Sequence, residues 1–290
     1  MIASAPSLLS LPVEGWQPAP LVDAAAFLAL AAYAWGAARV RAWPLWRAAC
    51  FAGGLGALIL ATQSGLDTYD DRLLSAHMVQ HLLLLTLAPA LLLAGHPALL
   101  ALRALPPSRR RGPARLLASA RPLASPWVTL PVFAVVVLAT HLRGFYDATL
   151  VHPLLHDAEH LAYLLAGLLL FAPLLDADPV TRRRLDGLGR LVYLLLASPP
   201  MALLGAYLNR ATGVVYPSYT APARSLGISP VLDQHQAGAI MWVAGGLVMV
   251  AVGLASALAA MVREERRLAA RDARGLGAAP AALPSTRSER

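Results

Sequence analysis

The sequence predicts an all-α integral membrane bundle of seven transmembrane helices, with the amino terminus outside and the carboxyl terminus in the cytoplasm. Three observations carry this. The chain of 290 residues is 58% hydrophobic and only 14% charged, where a soluble domain has about 25% charged residues. Seven apolar stretches approach the length of about 20 residues that a bilayer core demands of a helix. The basic residues are all arginines, and 20 of the 24 fall on one side of those stretches.

The elements follow in order, within a membrane domain over 21–262. Residues 1–20 form an extracytoplasmic segment; they have no basic n-region and no evident cleavage site, so no signal peptide is expected. A first span near 21–38 is Ala- and Leu-rich and stops at Arg39 and Arg41. The second, near 45–62, carries the chain's single cysteine, Cys50, which excludes disulfide frameworks and C-x-x-C metal or haem motifs. The third runs near 73–95 and contains Pro89; the fourth near 126–142 ends on Thr140-His141; the fifth near 155–175 follows Pro153, a residue suited to a first helical turn. In the sixth, near 188–208, Pro199-Pro200 predicts a kink or local unwinding. A loop over 209–234 with Tyr216, Pro217, Tyr219 and Pro222 suits the headgroup level or a lid, and the seventh span runs near 236–262. The tail 263–290 begins as a charged helical extension in contact with anionic membrane lipids and then becomes partly disordered.

Orientation rests on charge. The loops 39–47, 96–125 and 176–190 and the tail hold 20 arginines, against Arg72, Arg143, Arg210 and Arg224 on the other side. The arginine-rich side is cytoplasmic, which makes this a multi-pass protein of the cell membrane. Loop placement of the arginines argues against a nucleic-acid groove, despite the net charge of +8.

The chemistry lies in the histidines. Seven of the eight fall at the outer ends of spans: His77, His81, His141, His152, His156, His160 and His235; only His96 lies on the inner side. Ionisable side chains in a membrane face the interior and mark functional sites, and imidazole is the commonest protein ligand for metals. His77 and His81, and again His156 and His160, are spaced i, i+4, so each pair shares one helix face. That spacing suits either chelation of a metal from a single helix or hydrogen bonds to neighbouring helices. His141 closes the fourth span, His152 precedes the helix start at Pro153, and His235 opens the seventh span. Met78 and Met241 are possible further ligands, since thioethers beside imidazoles suit cuprous copper. Asp157 and Glu159 suit either capping of the helix start or, with Gln80, orienting the imidazoles from behind, as ligating histidines require. The cluster Asp67, Asp70 and Asp71 reads as a polar outer loop.

Four segments together resemble the CtaG-type cytochrome c oxidase assembly factors, a bacterial family of seven-span membrane proteins. They are Ser75 to His81 with Ala88-Pro89 and Gly95; His141 to Asp147; Leu155 to His160 with Pro173 to Asp176; and Tyr216 to Tyr219 followed by Asp233 to Gly238 with Met241-Trp242. The likeness covers roughly 20–262. By position, His77, His81, His141, His156 and His160 match the family's recurrent histidines. Thr140 and Arg143 stand where the family often has Trp and Pro, His235 where Gln is common, and His96 is peculiar to this chain. The resemblance implies copper held at the outer face, taken from copper donor proteins and delivered to the catalytic centre of a haem–copper oxidase by contact with its subunits. The competing readings are a haem-binding membrane redox protein with bis-imidazole ligation and a copper or cation transporter. An enzyme is not expected, because no nucleophile–base pair, phosphate loop or H-E-x-x-H pattern occurs.

Overall fold

The computed structural model describes residues 8–175 and 185–276. The structured elements there are all helical. We label the principal helices α1 (Pro20–Arg39), α2 (Leu45–Gln63), α3 (Leu74–Leu82), α4 (Ala88–Ala94), α5 (Pro126–Thr140), α6 (Arg143–Thr149), α7 (Pro153–Phe171), α8 (Gly187–Ala197), α9 (Pro199–Arg210), α10 (Pro230–Ala239) and α11 (Gly245–Leu276). A five-residue π-helical segment, Leu83–Leu87, joins α3 to α4, and another, Ile240–Ala244, joins α10 to α11. Large apolar side chains face outward on many helices, among them Leu21, Phe27, Trp127, Leu195 and Leu247. That outer coat belongs in lipid, and the chain is a multi-pass membrane protein.

Among the described residues, six helices are long and apolar enough to cross a membrane, and a seventh span is reached only if α5 and α6 are taken together. The expected fourth span ends where the sequence places it, but it is short. α5 has 15 residues, so it reaches about 22 Å against a hydrocarbon core of about 30 Å. The chain then bends by 73° into α6. His141, the C-cap of α5, occupies the corner. The seventh span starts earlier than its hydropathy suggests, at Pro230, which brings Asp233 and Gln234 into the helix. The fifth starts at Pro153 with His152 as N-cap, and the sixth breaks at Ser198 before Pro199. His96 marks the break after α4, with φ of 50°, and the helix Pro97–Ala104 that follows packs on α1. The end of the tail, 277–290, and Arg182 to Arg184 lie outside the described residues.

The α3–α4 segment is the centre of the bundle: it packs on α2, α7 and α10. Small residues permit this. A Cβ at Gly167 of α7 would lie 2.2 Å from the Leu85 carbonyl oxygen, and one at Gly238 of α10 would lie 2.5 Å from the Gly205 oxygen of α9. Close backbone approach between spans depends on such positions, because apolar burial against lipid supplies little drive. The result fixes the end of α3 that carries the histidines between the start of α7 and the start of α10.

Candidate metal centre

The centre is built from the first turns of α3 and α7. Four amide groups at a helix start lack intrahelical partners. In α3, Asp233 of α10 supplies acceptors for them: its carboxylate accepts from the Leu74 amide at 2.7 Å, the Ser75 amide at 3.3 Å and the Ser75 hydroxyl. An anion there also suits the helix dipole. With α3 anchored, His77 and His81 project one above the other, their ring centroids 4.1 Å apart. Asp233→Ala is expected to lower the protein's stability by about 2–3 kcal/mol, from the loss of a cap and a charged acceptor, with Asp233→Asn losing less. Thermal unfolding in detergent measures it.

α7 brings the second set. The His156 ring centroid lies 5.3 Å from that of His77 and 4.0 Å from that of His160. Glu159, only 2% exposed, lies between them in sequence and sets Oε2 3.8 Å from His81 Nε2. Donor atoms of His77, His81, His156 and Glu159 all fall within 4.8 Å of one another. His141 and His160 flank this group, with ring centroids 6.1 Å and 6.0 Å from His81.

The donors are buried and mostly unsatisfied. Nine buried polar atoms here lack a hydrogen-bond partner: Nε2 of His77, His141, His156 and His160, both ring nitrogens of His81, both carboxylate oxygens of Glu159, and Oε1 of Gln80. A buried group without a partner costs about 1–3 kcal/mol, so gathering so many in one place has a cause other than packing. Donor atoms gathered this closely are of the kind that a metal ion ligates. Imidazole with one carboxylate is a donor set that suits copper, zinc, iron or nickel.

Tautomers are fixed from behind. The His141 Nδ1–H donates to the Val137 carbonyl at 2.8 Å, because a carbonyl only accepts. His77 Nδ1 lies 2.8 Å from the Tyr219 hydroxyl, which donates in turn to the Asp70 carbonyl at 2.7 Å. The hydroxyl's one proton is thus committed, so His77 Nδ1–H is the donor in the first bond. Burial raises the Tyr219 hydroxyl well above its ordinary range, keeping it protonated. In both rings Nε2 keeps its lone pair and has no hydrogen-bond partner. The Tyr146 hydroxyl joins the chain 3.3 Å from that of Tyr219. At the rim, the Asp70 carboxylate lies 3.5 Å from His156 Nε2. Burial first, and then the charges of Asp67 and Asp71, push this carboxyl up to about 8.

Several expected residues take other places. Glu159, expected to orient imidazoles, stands among the donors. Gln80 instead donates to the Ala61 carbonyl and to Asp67 Oδ1, both at 3.0 Å, tying α3 to α2 and the turn after it. Asp157 is exposed, and so is His152. His235 is not brought to the group: its Nε2 meets the Ala211 carbonyl at 2.9 Å. Met78 and Met241 are buried in the main hydrophobic cluster; one residue of helix turns Met78 about 100° from His77. Tyr219 and Tyr216, placed in the outer loop by sequence, are only 2% exposed. The loop packs inward, and the Tyr216 hydroxyl donates to the His141 carbonyl at 2.8 Å. The one hint in the sequence was the Tyr-Pro-Ser-Tyr spacing.

The family described as cytochrome c oxidase caa3 assembly factor matches residues 31–263. An uncharacterized protein of Mycobacterium leprae is 28% identical over 273 residues, covering 89% of this chain and 41% of its own length. Uncharacterized proteins of Mycobacterium bovis and Mycobacterium tuberculosis are each 29% identical over 275 residues, with the same two shares. The chain spans about two fifths of the length of these relatives. No solved structure matches it.

Proposed function

This chain belongs to the cytochrome c oxidase caa3 assembly factor family, and from that premise we propose that it carries copper as cargo to the catalytic centre of the oxidase. His77, His81, His156 and Glu159 hold the ion, and His141 and His160 stand beside them as alternative ligands. The single observation behind this is the convergence of four donors within 4.8 Å of one another, buried and largely without hydrogen-bond partners. Among the metals that such donors accept, copper is the one that membership of an oxidase assembly family supports.

Delivery requires a site that binds and lets go. Six candidate ligands around one pocket offer more donors than a four-coordinate ion takes up. An incoming ligand can then displace one imidazole while another from the flanking pair takes its place. The protein acts at the outer face of the cell membrane, against an oxidase subunit and a copper donor, with no catalytic step of its own. The tight grouping supports an ion over haem, because the donors surround a point and leave no slot for a macrocycle between facing imidazoles.

Copper analysis of the detergent-purified chain tests the binding. About one copper per chain is expected after loading and desalting. In cells, deleting the gene is expected to lower oxidase activity, with partial recovery on added copper. A chain that retains no copper above a histidine-substituted control removes the cargo reading and leaves the family role.

A further inference from the structure

We propose that the cavity between α1, α2 and α7 is the passage by which a cation enters and leaves the histidine pocket. This rests on reading that pocket as a cation site. The cavity has a volume of about 550 Å³. Its walls include Ala25 of α1, Leu58 of α2 and Leu164 of α7, and three ionisable residues, Asp67, Asp157 and His160. The ionisable three form a graded series. Asp157 is exposed and Asp67 half-buried, while His160 is 8% exposed and its Nε2 has no hydrogen-bond partner. His160 belongs to both spaces: it lines the cavity, and its ring centroid lies 4.0 Å from that of His156 inside the pocket. Its place beside the main donors, rather than among them, suits a ligand that takes an ion from the carboxylates and passes it inward.

A second cavity also reaches the pocket, with a volume of about 660 Å³ and His141, Arg143, Leu204 and Tyr207 on its walls. Charge decides between the two. The second cavity has an arginine and no carboxylate in its lining, whereas the first has two carboxylates. A cation is drawn to the first, whereas Arg143 of the second, paired with Asp147 at 3.6 Å, offers it no attraction, and the difference is largest at low ionic strength.

The test follows copper exchange between the full-length protein in detergent and a chromogenic copper chelator. Ala25→Trp, at an exposed position on the cavity wall, is expected to slow both uptake and release at least tenfold while leaving the copper bound at equilibrium unchanged. Asp157→Asn is expected to slow uptake several-fold at low salt, with the difference shrinking as salt is added. Leu204→Trp, in the second cavity, is expected to exchange at the wild-type rate. Wild-type rates in both Ala25→Trp and Asp157→Asn overturn the passage, as does slowing confined to Leu204→Trp. A wild-type protein that takes up no copper overturns the cargo reading as well, so the two failures are told apart.

Discussion

His81→Leu is expected to abolish copper binding while leaving the apo protein at least as stable as the wild type. His81 is 4% exposed, and neither ring nitrogen has a hydrogen-bond partner. A buried residue kept for packing would not carry two unsatisfied polar atoms. Leu fills similar space and removes a penalty of about 1–3 kcal/mol per partnerless group. The substitution also takes away the donor that faces Glu159 at 3.8 Å and the His77 ring at 4.1 Å. Ligand linkage supplies the contrast: copper at 100 times its Kd stabilises a binding protein by about 2.7 kcal/mol and does nothing for one that cannot bind. Thermal unfolding with and without copper, alongside metal analysis, gives both readouts. A His81→Leu protein that binds copper like the wild type, or that unfolds well below it without metal, defeats the assignment. The pattern sought, stability traded for a site, is the reverse of what a structural histidine would give.

Much of this architecture was legible because membrane insertion imposes simple rules. Apolar length located α1, α2, α7 and the α8–α9 pair, Pro153 marked a helix start, and Pro199-Pro200 marked the break between α8 and α9. The i, i+4 spacing of His77 with His81 and of His156 with His160 set each pair on one face. The structure adds that the two faces meet. Hydropathy ended the fourth span near His141, where α5 stops, but a composition average carries no sign of the 73° bend into α6. The supports of the pocket were hidden for another reason: they come from far along the chain. Asp233 caps a helix 158 residues before it, and Tyr219 meets a histidine 142 residues away. No local pattern encodes such pairings. Glu159 was visible, yet its role was not, because a carboxylate one residue from a histidine can face the same pocket or the opposite side depending on where the neighbouring helix packs.

Tyr219→Phe is the second large effect expected, a loss of 10- to 100-fold in copper affinity. The substitution removes one oxygen atom and no ligand. That oxygen accepts the His77 Nδ1–H at 2.8 Å and donates to the Asp70 carbonyl at 2.7 Å, which together hold the ring in the tautomer that leaves Nε2 open. Without it the ring is free to turn or to move its proton to Nε2, where it blocks the metal. Partners behind ligating histidines typically account for about 10- to 100-fold in affinity. Tyr216→Phe is the necessary control. Its hydroxyl is also buried and also bonded, but to the His141 carbonyl rather than to a ring nitrogen. Both variants lose a buried hydrogen bond, so both should lose about 1–3 kcal/mol of stability. Only Tyr219→Phe should lose affinity beyond that. Competition titrations against a copper chelator separate the cases, and equal affinities in the two variants would reduce Tyr219 to a packing residue and leave the His77 tautomer without its support.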